Sequence, residues 1–213
     1  MHTPRFPEAN HPLIKSLFPY SDQDLLNLFQ QNPGQGKYFI TLFCRYSKIV
    51  HKLIWHSNRS AVKADYMFAL TWQYIFEQMG TLDLEEEQQK GIYSFQGWVI
   101  KATAFCLTNS NLPPVESINY SLKAASPPFW CYVKSALDQL PPSTRLMVIM
   151  AQNFHWNPTR IAAYMEAEGE SMSPAAVKVA LQEGYQLLEN SLPEDVRNVY
   201  FNRAVKHQVA TVV

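Results

Sequence analysis

The residues with most chemical potential in this chain are two neighbouring histidines, the cysteines and a run of lysine and arginine. His51 and His56 lie five positions apart, which fits neither the three- nor the four-residue step that brings two imidazoles to one metal on a helix face. Both are expected to be half-exposed. Cys44, Cys106 and Cys131 are odd in number and widely spaced, giving neither a disulfide framework nor a zinc pattern, so reduced buried thiols are expected. The sequence holds no glycine-rich phosphate loop, no Ser/His/Asp or Cys/His grouping and no partnered pair of carboxylates. The expectation is a protein that is not an enzyme, with no metal and no cofactor. Charge patterning says more. Residues 37–63 contain Lys37, Arg45, Lys48, Lys52, Arg59 and Lys63 and no acid, whereas Glu77, Asp83, Glu85, Glu86 and Glu87 follow in residues 77–87. Arg45, Lys48, Lys52, Arg59 and Lys63 form a candidate basic patch, suited to phosphate or to an acidic protein surface, with a solvated helix face as the plain alternative.

Composition bounds what can position these groups. A chain of 213 residues makes one to two domains at a typical size of roughly 150. Charged residues are 17%, below the usual ~25%, and hydrophobic residues reach 47% with 13% aromatic, which excludes disorder. No window approaches the ~18 consecutive apolar residues of a membrane span, and the N-terminus lacks a basic-then-apolar signal pattern. A cytoplasmic protein with no membrane contact is expected. Lys+Arg and Asp+Glu balance at 18 each, which argues against gripping nucleic acid by bulk charge alone.

Residues 34–112 contain no proline, which suits long helices. Within them Phe39, Phe43, Tyr46, Val50, Leu53 and Ile54, and then Val62, Tyr66, Leu70 and Tyr74, recur at three- and four-residue steps. Gly80 and the acidic run to Gly91 predict a break, followed by a third stripe from Phe95 to Cys106 ending near Asn109. Ser21 precedes a short capped helix over Leu25–Phe29. Residues 110–133 hold Pro113, Pro114, Pro127 and Pro128 among Ser and Asn, a composition that favours an extended connector. The helical pattern resumes at Val133, and Ser143 is expected to cap a stripe of Leu146, Val148, Ile149 and Phe154. Asn157-Pro158 and Ser173-Pro174 each set a capping side chain before a proline suited to a first helical turn, opening helices over 159–166 and 175–190. Short helix, turn and longer helix outline a helix-turn-helix, although ordinary helical hairpins share that outline. The expected class is therefore all-α: two helical domains joined by a Pro-rich linker.

Several segments, in order, resemble bacterial sigma factors of the sigma-70 type, in the compact form of the extracytoplasmic-function group. Phe43-Cys44-Arg45-Tyr46-Ser47-Lys48-Ile49-Val50 resembles that family's "LFxRYSxxV", and Ser94-Phe95-Gln96-Gly97-Trp98-Val99 its "SFRGWL". Ala136 to Arg145 resembles the "ALxxLPxxxR" that opens the second domain, and Ile161-Ala162 stands for the "EIA" of the first helix of its DNA-binding motif. The resemblance implies a region 2-like bundle with an N-terminal extension over 1–109, a linker over 110–133, a region 4-like helix-turn-helix domain over 134–192, and a C-terminal tail or helix over 193–213. It implies a transcription initiation factor whose partners are core RNA polymerase and promoter DNA, the latter contact being weak, with an anti-sigma or other regulatory protein as a further partner. Polymerase contacts fall on Asp65 and Tyr66, and DNA contacts on Trp98, Lys101, Ser173 and Lys178.

The contact positions depart from the family. Phe68 and Ala69 replace the Gln and Glu of "DLVQEVF" beside Asp65, and Ala104 and Phe105 stand where "WLxRIARN" has Arg and Asn. The recognition helix "VKSRLHRAR" becomes Val177 to Tyr185, keeping Val177 and Leu181 for packing and Lys178 as its one base, with Glu183 on the helix. The absence of about three cationic contacts lowers the salt slope by about 0.9 each and weakens duplex affinity by orders of magnitude. Met165 to Met172 also make a longer, acidic turn. Two outcomes stay open: a factor that reads DNA weakly and leans on polymerase, or a degenerate regulator that has exchanged DNA for a protein surface. Val196, Val199, Tyr200, Phe201 and Val205 suggest a C-terminal segment that docks on a partner or on the first domain, with self-packing as the more ordinary alternative.

Overall fold

Capping side chains and prolines set where the helices begin. A computed structural model of the chain describes residue 4, residues 6–58 and residues 60–201. Every regular element among the described residues is helical, so the chain is all-α. A 3-10 turn at Pro7–Asn10 and α1 (Pro12–Lys15) lead to α2 (Asp22–Gln31), α3 (Lys37–Ser57) and α4 (Ala61–Met79). After these come α5 (Leu84–Gln89), α6 (Phe95–Asn109), a 3-10 turn at Val115–Ser117, α7 (Pro127–Asp138), α8 (Pro142–Asn153), α9 (Pro158–Ala167), α10 (Pro174–Ser191) and α11 (Glu194–Phe201).

The first bundle occupies the proline-free stretch. α3 packs on α2, α4 and α6. The predicted stripes of α3 and α6 meet there, whereas α4 turns in Met67, Phe68, Trp72 and Ile75 and leaves the predicted Val62 exposed and Tyr66, Leu70 and Tyr74 half-buried. Phe43 and Trp72 stand edge to face with ring centroids 4.9 Å apart, and Tyr46 lies 5.6 Å from Phe95. Fully burying each such ring contributes about 1.5–3 kcal/mol, the main reason these helices hold together. At the head of α2, Ser21 and Asp24 form a reciprocal capping box.

In the second half, α8, α9 and α10 bury Met147, Val148, Met150, Ile161, Ala162, Met165, Val177, Leu181 and Leu188. α10 lies close on α8 at Gly184, where a Cβ would stand 2.8 Å from Thr144 Cγ2. Asn157 accepts from the Arg160 N–H and Ser173 from the Ala176 N–H, so both helices of the expected pair start at the side chains that the sequence nominated. α9 stops at Gly169, φ +89°, with the Gly169 N–H on the Glu166 carbonyl and the Glu170 N–H on the Met165 carbonyl.

Four further local expectations are corrected. α7 begins at Pro127, inside the stretch read as connector, because prolines in the first turn remove no helical hydrogen bond. The acidic run forms α5, whose first turn gathers Glu85, Glu86 and Glu87 at the positive end of the helix dipole under the Asp83 cap. Ser143 is not a cap: Pro141 holds that position and Ser143 Oγ donates to Glu170 Oε1 at 2.8 Å. Leu146 and Phe154 are exposed, Phe154 to 61%, while Met147 and Met150 flank Val148 in the core.

α7 links the two halves, contacting α3, α4, α10 and α11. Buried apolar side chains form one connected cluster from Ile14 to Val199. α11 docks against the start of α3 and against α7, where Phe129 lies 4.9 Å from Tyr200. Val205 and the rest of 202–213 lie outside the described residues.

Candidate functional site

The sequence-predicted contact residues fall on three surfaces. The first is the outer face of α10. Ser173 is exposed, with its hydroxyl committed to the helix cap. Ala175, Ala176, Lys178 and Val179 are exposed on the first turns, and Gln182 and Glu183 continue outward, while Val177 and Leu181 point into the core. Lys178 therefore stands free of packing on an accessible helix. The acids of the preceding turn are exposed too, with Glu170 held by Ser143.

The second surface is α6. Trp98 is 8% exposed and packs 5.5 Å from Phe95, so its ring belongs to the core. Lys101 is exposed and its Nζ lies 3.5 Å from Glu87 Oε2. Hydrogen bonding from Lys90, assisted by the Lys101 charge, holds the Glu87 carboxyl below its ordinary value. Phe105, half exposed, stacks on Tyr74 at 5.2 Å.

The third surface runs along α3 and α4. Arg45 is not a free cation: its guanidinium donates to the Asp22 carboxylate and to the carbonyls of Phe18 and Tyr20, tying α3 to the loop before α2. Tyr46 donates to the same carboxylate, and burial together with that bond raises its hydroxyl pKa. Lys48 and Lys52 are exposed on α3 and Lys63 is half-buried on α4; Arg59 lies outside the described residues. His56 is exposed, whereas His51 is 4% exposed between Trp55 at 5.7 Å and Phe68 at 5.5 Å. Burial lowers the His51 pKa, which favours the neutral ring.

Asp65 and Tyr66 are both half-buried under the chain's own connector. Tyr66 lies 6.3 Å from Tyr120 and 6.5 Å from Trp130. Asp65 lines a cavity of about 480 Å³ with Lys123, Ala125, Phe129 and Tyr200. Burial raises its carboxyl pKa, opposed by the charge of Lys123. Residues 118–130 thus fold over the strip of α4 that the resemblance assigns to polymerase.

Sequence reasoning missed this covering, since no spacing signals that residues 118–130 fold back on α4. Free thiols are found at Cys44, half-buried, and at buried Cys106 and Cys131, whose ionisation burial disfavours. Among the described residues no group of three or more His, Cys, Asp or Glu is placed to hold a metal ion, and no helix is long and apolar enough to cross a membrane. No protein-family model, curated protein or solved structure matches the chain.

Proposed function

We propose that the chain is a sigma-like transcription initiation factor that binds core RNA polymerase and directs it to promoter DNA in the cytoplasm, without a cofactor. The observation that carries this reading is the state of α10. Its capped N-terminal turns stand out from the core on a short preceding helix, which is what major-groove docking demands of a recognition helix. Support also comes from order along the chain, with a bundle of long aromatic helices first and the α8–α10 unit second. Lys178 supplies a phosphate contact, and Lys101 with the exposed Lys48 and Lys52 extends the cationic surface over the first bundle.

A second reading keeps the architecture and drops the promoter: a regulatory module that binds polymerase, an anti-sigma protein or another partner without reading sequence. Two observations favour it. Arg45 is consumed by Asp22 and two carbonyls, and α10 carries one lysine and an exposed Glu183, with Glu166, Glu168 and Glu170 exposed in the turn before it. Like charge near phosphate weakens duplex binding.

Sedimentation of the full chain with core polymerase, with and without a labelled fork-junction DNA, separates the readings. A complex that recruits the DNA supports the factor. A complex with polymerase that leaves the DNA free supports the regulator, and no association with polymerase overturns the factor.

A further inference from the structure

A cleft of about 660 Å³ opens between residues 117–125, α4, α7 and α8, and of its lining only Tyr66 enters the polymerase reading. Its size lies inside the ≈ 300–1,000 Å³ range of small-molecule sites. Two kinds of wall face each other. One is aromatic: Tyr120 lies 5.3 Å from Trp130, and Tyr66 completes the group. The other is polar, with Lys134 and Asp138 one turn apart on α7, and Arg145 and Gln152 on α8.

The two cations of the polar wall are weakly committed, whereas Gln152 donates to the Tyr185 hydroxyl. Lys134 Nζ lies 5.2 Å from the Trp130 ring centroid and donates to Gln73 Oε1 at 3.0 Å, both neutral groups. Arg145 Nη1 reaches Asp138 Oδ1 at 3.3 Å, with side chains 37% and 74% exposed. An exposed pair of that kind exchanges readily for a better anion. Two cationic side chains thus face one loosely held carboxylate beside three rings inclined to one another by 45–68°.

We propose that this cleft binds a small anion carrying a planar ring, of the nucleoside phosphate class. The ring lies against Trp130 and Tyr120, and the phosphate takes Arg145 from Asp138 while Lys134 meets it from α7. Aromatic stacking and charge-assisted hydrogen bonding then act on different parts of one ligand, so neither part binds well alone. Because the lining belongs to α4, α7, α8 and residues 117–125, an occupant ties these elements together and raises the unfolding temperature of the chain.

Calorimetric titration of the full chain with AMP, GMP and ADP, and separately with inorganic phosphate and with uncharged adenosine, tests the proposal. Saturable binding of a nucleotide is expected, weakened about tenfold or more by Lys134→Gln or Arg145→Gln, each of which removes one charge-assisted hydrogen bond. Asp138→Asn, which removes the competing carboxylate, is expected to tighten binding. These surface substitutions leave the core untouched, and unchanged circular dichroism checks that. The proposal is overturned if no nucleotide binds below about 5 mM, a limit weaker than millimolar affinity. It is overturned equally if both glutamine variants bind as well as the parent chain, or if inorganic phosphate binds as tightly as the nucleotides.

Discussion

The carboxylate of Asp195 accepts hydrogen bonds from the Gly36 N–H at 3.0 Å and the Lys37 N–H at 2.8 Å. A residue of α11 thereby caps α3 from the far end of the chain, placing an anion at the positive end of a 21-residue helix. The approach is close enough to require glycine at position 36, where a Cβ would stand 2.2 Å from Val196 Cγ2 and 2.9 Å from the Tyr132 ring. Nearby, Tyr200 OH lies 3.0 Å from Ser126 Oγ and donates to Glu8 Oε1 at 3.2 Å, so α11 fastens the first bundle, α7 and the N-terminal turn together.

Asp195→Ala is expected to cost about 1–3 kcal/mol, since removing this helix cap leaves two N–H groups short of acceptors. Asp195→Asn, which keeps an acceptor, costs less. Urea denaturation monitored by circular dichroism measures both. Gly36→Ala is expected to cost about 2 kcal/mol or more by overpacking, and Val196→Ala in the same chain to recover part of it. Additive losses would mean that these two residues do not touch.

Asp65 gives a pH signature. Burial holds its folded carboxyl above the ordinary value of 3.8, so its favourable contribution is present below that pH and is lost as pH rises through the folded value. Once the folded value is passed, the half-buried group works against folding. Asp65→Asn is therefore expected to stabilise the chain at pH 7 by up to about 1 kcal/mol after solvent screening, with the gain shrinking toward pH 4. Guanidinium midpoints at the two pH values decide it. Weaker polymerase binding by the same variant would mark Asp65 as a residue kept for contact at the expense of stability.

Arg45 separates from the other basic residues by what its removal does. With its guanidinium on Asp22 and the Phe18 and Tyr20 carbonyls, Arg45→Ala is expected to lower stability by about 1–3 kcal/mol and to leave the salt dependence of DNA binding as it was. Lys48→Ala with Lys52→Ala reverses the pattern. Stability stays within about 0.5 kcal/mol, and the salt slope falls by about 0.9 for each phosphate that no longer meets a lysine. Thermal melts and polymerase-dependent DNA binding at several salt concentrations provide both readouts.

Lys178→Ala is expected to reduce promoter occupancy by the polymerase complex and to lower the salt slope by about 0.9, with folding unchanged because the side chain is exposed. Footprinting across a salt series reads this directly. Unchanged occupancy would remove Lys178 from the DNA interface.

What the sequence made legible was local. The starts of α9 and α10 were readable because Asn157-Pro158 and Ser173-Pro174 carry the capping acceptor and the fixed φ of a first turn side by side. Phe39, Phe43, Tyr46 and Val50 were readable as core from their three- and four-residue steps in a long proline-free helix, but on α4 the same reasoning chose Val62, Tyr66, Leu70 and Tyr74 over the buried Phe68 and Trp72. α5 was not, because Glu85, Glu86 and Glu87 have no apolar period and owe their helix to the Asp83 cap. Nor was the start of α7, where Pro127 and Pro128 could act either as breakers or as first-turn residues of the helix they precede. Contacts between distant segments stayed hidden: Arg45 with Asp22, His51 between Trp55 and Phe68, and the connector over Asp65 and Tyr66. Burial of a charged or polar residue by a remote segment leaves no periodic trace, so the candidate site was assembled by tertiary packing that spacing alone does not encode.

Mapping transcript 5′ ends genome-wide, from reactions containing purified core polymerase with and without the full chain, tests initiation most directly. The expected result is a set of discrete start sites that appear only with the chain and share upstream sequence elements at fixed spacing. Identical start-site profiles with and without the chain would contradict a role in directing polymerase to promoters.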